Sequence, residues 1–277
     1  MSAPRNDPTA TNVDDLSRII ASFHLVGSGN FNPSAFEGGP QVAPAVQVRE
    51  NLVQHWTRAT RHLGSSAAIN NAWFQRIWEA HSDSARYYHT AVHLQEMLSF
   101  YDLVRKNDFP PEPSCSPEED QAILLSTFFH DAVYDVHSGT NEEDSAKLFE
   151  SFCDEIGLDA SNSSLRLLVV DYILATKKHE VVADNPLAQR LFLDLDITVL
   201  GKEWQAYCQY AALIRKEYSY VGKPVYCEKR ADILESFLLN PIYGTQVMRQ
   251  AFEDQARSNL RQEIKSLRNG VIPGEDE

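Results

Sequence analysis

Ser116-Pro117-Glu118-Glu119-Asp120-Gln121-Ala122-Ile123-Leu124-Leu125-Ser126-Thr127-Phe128-Phe129-His130-Asp131 is the stretch that decides the fold. A serine at the N-cap, a proline at the first helical position and a glutamate three residues after the serine form a capping box, which closes the free amides of a helix start. The apolar run 123–129 then carries the helix inward and ends on a histidine followed directly by an aspartate. Neighbouring side chains on a helix diverge by about a third of a turn, so this pair can grip one ion only from the edge of a face. Any further ligand must come from another helix.

The first candidate lies upstream. Tyr88, Val92, Leu94, Met97, Leu98, Tyr101 and Val104 recur at helical intervals and place His89 and His93 one turn apart on an expected helix. Downstream, Asp194 and Asp196 offer carboxylates. Two imidazoles and one or two carboxylates suit a divalent ion that keeps open positions for water and substrate. The expectation is a catalytic metal site.

Four stretches carry a resemblance: 86–93 (RYYHTAVH), 129–135 (FHDAVYD), Asn141-Glu142 with Ser145-Ala146, and 192–196 (FLDLD) ending in Leu200-Gly201. In that order they resemble the HD superfamily of metal-dependent phosphohydrolases, whose ligands run His, then His-Asp, then Asp. The match is closest to a branch described as predicted HD phosphohydrolases, and it extends through 214–218 and 256–260 to cover residues 48–265 approximately. The resemblance implies that His93, His130 and Asp131 are metal ligands and that Asp194 or Asp196 closes the set, with Asp196 favoured. It implies catalytic roles for Asp135, which corresponds to an acidic position that orients water in some relatives, and for Glu142. Tyr134 stands where alarmone hydrolases of the superfamily carry a glutamate, which argues against that activity.

Physical chemistry supports the roles separately. A divalent ion acidifies water and offsets charge growing on a phosphoryl oxygen. A phosphate also needs cations on a protein whose formal net charge is -14. Arg86, about two helical turns before His93 on the expected helix, is the first choice. Lys177, Lys178 and His179 form a second cluster, in which Lys177 doubles as a solvated helix end and His179 could bind phosphate or a second ion. His89 reads first as a hydrogen-bonding neighbour of the ligands and second as a ligand. His24, His55, His62 and His81 lack partners at ligand spacing, and packing or surface roles are their default.

Two other readings compete. Residues 191–200 alternate and are partly β-branched, so by pattern alone they read as a strand. They also resemble the Asp-x-Asp-x-Thr motif of haloacid-dehalogenase-type phosphatases, which would make Asp194 the nucleophile. That fold requires a parallel sheet with later lysine and acidic motifs, and the later aspartates Asp232, Asp254 and Asp276 fall in segments of helical character or at the end of the chain. The second alternative is an HD-type pocket that senses a ligand without turnover.

With 277 residues, 43% of them hydrophobic, the chain can bury a substantial core. The acidic balance disfavours a nucleic-acid surface, leaving a small phosphorylated substrate, a nucleotide first. Four scattered cysteines without a Cys-x-x-Cys pair read as reduced thiols of a cytoplasmic protein. No run approaches the roughly 18 apolar residues of a membrane span, and Asp7, Asp14 and Asp15 stand where a signal-peptide core would lie.

The expected architecture is all-α: an HD-type helical bundle over 46–268 with additional C-terminal helices, a partly disordered extension over 1–45 and a flexible tail over 269–277. Helices are predicted over 13–25, 48–63, 67–80, 142–155, 165–178, 203–218, 226–239 and 244–267, with Trp56, Trp73, Phe74 and Trp78 as core anchors. A loop containing Pro110, Pro111 and Pro113 separates the two histidine helices. A homodimer through the late helices is conceivable. Manganese is the favoured ion, with magnesium, iron, cobalt, nickel and zinc as alternatives.

Overall fold

The structure is a computed structural model that describes residues 42–106, 115–158, 164–180 and 184–275. The helix predicted over 13–25 and the prolines of the inter-helix loop lie outside these residues. Among the described residues the fold is all-helical, with no strand. Ten α-helices follow one another: α1 (Val42–Thr60), α2 (Ala67–Ala80), α3 (Ala91–Lys106), α4 (Pro117–Phe129), α5 (Asn141–Glu155), α6 (Ser164–Ala175), α7 (Leu187–Asp196), α8 (Trp204–Glu217), α9 (Lys223–Phe237) and α10 (Gln246–Arg268). A 3-10 turn, Thr198–Gly201, joins α7 to α8.

Helix α4 is the axis of the bundle. Its capping box forms in full, with the Ser116 hydroxyl accepting from the Glu119 amide at 3.2 Å and the Glu119 carboxylate accepting from the Ser116 amide at 2.8 Å. Every residue from Ala122 to Phe129 is buried, because α1, α3, α5, α6 and α7 all pack against it. An aromatic cluster locks one side. Trp56 of α1 meets Phe128 edge-on at 5.2 Å between centroids, and Trp73 of α2 meets Phe152 of α5 at 5.4 Å. Trp56, Trp73 and Phe74 are core residues as expected, whereas Trp78 is only partly buried.

The segment 191–200 forms the end of α7 and the 3-10 turn instead of a strand. Ala188, Leu191, Phe192 and Leu195 recur at helical spacing and are buried, and the local Leu-Asp-Leu-Asp alternation of 193–196 masks that period. Gly201 lets the turn approach α10, since a Cβ there would lie 2.5 Å from the Phe252 Cβ and 2.9 Å from the Tyr243 hydroxyl. Asn259 of α10 fastens the same turn, donating to the carbonyls of Leu200 and Lys202 at 2.8 and 2.7 Å.

Residues 269–275, expected as a flexible tail, are anchored. Ile272 is buried and the Glu275 carboxylate meets Lys223 at 2.6 Å. No disulfide joins Cys115, Cys153, Cys208 and Cys227. Among the described residues no helix is long and apolar enough to cross a membrane.

Candidate metal centre

The site is assembled from helix ends. His93 sits in the first turn of α3, His130 caps the C-terminus of α4, Asp131 follows it, and Asp196 is the last residue of α7. One ligand atom from each of His93, His130 and Asp196 lies within 4.8 Å of the others, a grouping able to hold a metal ion. Two of the three helices present their C-termini, where the unpaired carbonyls carry partial negative charge and favour a cation.

His130 supplies the test of fit. Its Nδ1 lies 3.0 Å from the Thr127 carbonyl oxygen. A carbonyl only accepts, so Nδ1 carries the hydrogen and the neutral ring turns its Nε2 lone pair outward. Among the described residues that buried Nε2 has no hydrogen-bond partner, yet it faces Asp131 Oδ2 at 3.1 Å and Asp196 Oδ1 at 3.4 Å. A lone pair confronting two carboxylates is repulsive unless a positive charge sits among them. Either a second proton on the ring or a metal ion supplies that charge. In the absence of metal the ring takes the proton: burial opposes it, but Asp131 and Asp196 outweigh burial and hold the His130 pKa well above the imidazole range. The carboxylates respond in kind. Burial raises the pKa values of Asp131 and Asp196, yet the nearby His130 more than reverses this and both fall far below the ordinary carboxylate value.

The remaining donors and acceptors around Asp196 are also histidines. His93 Nε2 stands 3.0 Å from Oδ1 and His179 Nε2 stands 2.7 Å from Oδ2. Asp194, the other candidate for the fourth ligand, is turned away. Both its oxygens are taken by the start of α10, from the Gly244 amide at 2.6 Å, the Thr245 amide at 2.8 Å and the Thr245 hydroxyl at 2.6 Å. Of the two aspartates, Asp196 joins the grouping with His93 and His130, and Asp194 fastens α7 to α10. No protein-family model and no curated protein matches this chain. The metal reading therefore stands on the geometry of the cluster.

Several expected site residues lie elsewhere. Arg86 does not share a helix with His93, because α3 begins only at Ala91. Its guanidinium is buried and spent on carbonyls, donating to Asp131 at 2.6 Å, His89 at 3.3 Å and Ala132 at 3.4 Å. Arg86 thereby holds the turn that follows α4 at Asp131 and Ala132. Asp135 is not on the face of α4, which stops at Phe129. It is exposed in the following loop, where its carboxylate accepts from the His137 amide at 2.9 Å. Glu142 faces Lys177 at 3.7 Å, and Lys177 also meets Glu143 at 2.5 Å and the Gly139 carbonyl at 2.8 Å. These three form a surface cluster. The matched residues Asn141 and Ser145 act on the loop itself, Asn141 bridging the amide and carbonyl of Asp135 and Ser145 those of Val133.

His89 also precedes α3, in the bend that leads into it, yet its ring lies 6.0 Å from that of His93. Its Nδ1 meets Glu217 Oε2 at 2.7 Å. Glu217 falls within 214–218, a stretch to which the resemblance extends. In the structure it is buried and gathers five donors: the amides of Tyr87, Tyr88 and His89 on Oε1, and the His89 ring and Tyr134 hydroxyl on Oε2. His55 pairs instead with Asp102 at 2.8 Å, His62 is exposed, and His81 is buried beside Ile77. His24 lies outside the described residues.

Proposed function

We propose that the protein is a metal-dependent phosphohydrolase of the HD superfamily type, cleaving a phosphate monoester or anhydride of a small molecule, with a nucleotide as the first candidate substrate. The observation that carries this reading is the buried His130 Nε2, which faces Asp131 and Asp196 and groups with His93 and Asp196 within 4.8 Å. The order His93, His130-Asp131, Asp196 along the chain supports it.

His93, His130 and Asp196 would hold the ion, with Asp131 beside them as the fourth ligand. A divalent ion so held supplies an acidified water and offsets phosphoryl charge. The protein's own groups prepare the place. Both carboxylates are held ionised, the hydrogen on His130 Nδ1 is kept by Thr127, and Arg86 holds the turn between His130 and Ala132. Histidine and carboxylate ligands accommodate several first-row ions, among which we put manganese first.

Release of phosphate and pyrophosphate from a panel of nucleotides and phosphorylated metabolites, with each divalent ion and with chelator, tests the reading beside His130→Ala and Asp131→Ala. Metal-dependent release that disappears in both folded variants is the expected result. Silence across the panel with metal bound at full occupancy would overturn turnover and leave a ligand-sensing pocket.

A further inference from the structure

Asp196 is clasped from both sides. His93 and His130 approach its Oδ1 at 3.0 and 3.4 Å, and His179 approaches Oδ2 at 2.7 Å. The backbone of His179 is unusual in its own right, with φ at 47°, the only positive value of a non-glycine residue among the described ones. It stands just past α6, and its amide donates to the Ala175 carbonyl at 3.2 Å, the bond of a left-handed helix cap. Glycine is the ordinary occupant of that position because a Cβ is disfavoured there. His179 holds this disfavoured conformation with its ring turned to a polar contact, Asp196.

Resting on the metal-site reading above, we propose that His179 is a positioning residue: its Nε2–H holds Oδ2 of Asp196 so that Oδ1 stays turned towards His93 and His130, and this sets the affinity for the divalent ion. A carboxylate that is free to rotate presents either oxygen and loses part of the preorganisation of the site. Hydrogen bonds of this kind to a ligand are worth about 10- to 100-fold in metal affinity.

The experiment compares wild type, His179→Gly and His179→Gln as full chains, titrating manganese(II) alone by calorimetry and recording the urea midpoint in chelator. Glycine removes the donor while suiting the backbone. It should weaken manganese binding by about 10- to 100-fold and leave the metal-free midpoint equal or higher. Glutamine, whose Nε2 donor reaches about as far as that of histidine, should stay close to wild type in affinity. Manganese binding by His179→Gly as tight as by wild type, or a loss in His179→Gln as large as in His179→Gly, overturns the proposal and leaves the metal site standing. A wild type that binds no manganese, and no other divalent ion of the panel, overturns both.

Discussion

Glu217 and His89, 128 residues apart in the chain, meet through Oε2 and Nδ1 at 2.7 Å. The pair pins the segment that leads into α3 against the end of α8, and so sets where His93 enters the site. Five donors converge on a carboxylate whose side chain is wholly buried.

Removing that carboxylate should cost far more than a surface ion pair. Glu217→Ala strands the amides of 87–89 and leaves His89 and Tyr134 without their acceptor, for which about 3–5 kcal/mol is the expected loss. The pH dependence fixes the cause. Burial raises the Glu217 pKa, but His89 more than compensates and holds it at about 2, below its ordinary 4.5. Burial lowers that of His89, but Glu217 outweighs it and raises it above 6.5. A depressed acid contributes fully above 4.5 and loses its contribution as pH falls towards 2. A raised histidine contributes fully below 6.5 and loses its contribution as pH rises through its folded value. The stability gap between wild type and Glu217→Gln, measured in chelator, should therefore be widest between pH 4.5 and 6.5. A gap that does not vary with pH would show that the pair's charge is immaterial.

Arg86 can be assigned by a single conservative change. A guanidinium spans the carbonyls of His89, Asp131 and Ala132, whereas an ammonium is a point charge that cannot reach all three. Arg86→Lys should lower stability by about 1–3 kcal/mol and weaken metal binding, because the His130-Asp131 turn loosens. A variant with unchanged melting and metal affinity that binds phosphate poorly would instead place Arg86 on the substrate, as the sequence suggested.

How much of this was legible beforehand follows from where each signal resides. Helix α4 was readable because its start obeys local rules that the structure fulfils at Ser116 and Glu119. The late start of α3 had a local sign as well: Thr90 stands at its N-cap, with its hydroxyl 3.4 Å from the Val92 amide. The apolar periodicity of the surrounding residues concealed that cap. Helix α7 was harder, since the alternation of 193–196 mimics a strand and the helical spacing of Ala188, Leu191, Phe192 and Leu195 emerges only over a longer window. Glu217 left a faint trace, lying in register with the buried Tyr207, Ala211 and Ile214 of α8. A carboxylate on an apolar face needs partners, yet nothing local says that they lie 128 residues away. The pairing of His179 with Asp196 was likewise beyond local pattern, because a left-handed residue is expected to be glycine.

Asp194 and Asp196, two residues apart, should separate cleanly by mutation. Asp194→Asn puts an amide nitrogen among the donors of Gly244 and Thr245 and should cost about 2–4 kcal/mol through the cap of α10. Asp196→Asn should leave the metal-free fold less affected and abolish the rise in melting temperature that manganese gives wild type. That rise corresponds to about 2.7 kcal/mol at 100 times the dissociation constant. Retention of a full manganese shift by Asp196→Asn, with its loss in a folded Asp194→Asn, would reverse the assignment.

His81 should make the metal-free bundle sensitive to acid. It is buried, its Nδ1 donates to the Ile77 carbonyl at 2.9 Å, and its Nε2 has no partner among the described residues. Burial, reinforced by the Arg86 charge, lowers its pKa to about 3 from 6.5. Between those values the unfolded chain binds a proton that the folded chain refuses, so stability must fall as pH drops through the window. At pH 4.5 the loss from this group is about 2.5 kcal/mol relative to pH 7. His81→Phe keeps a ring of similar size and removes the titration. Its stability measured against pH in chelator should fall less steeply below 6.5 than that of wild type. The slope is the diagnostic quantity, because a packing defect shifts the whole curve without tilting it. Parallel curves for the two proteins would mean that His81 accepts its proton in the folded state and that its burial carries no acid sensitivity.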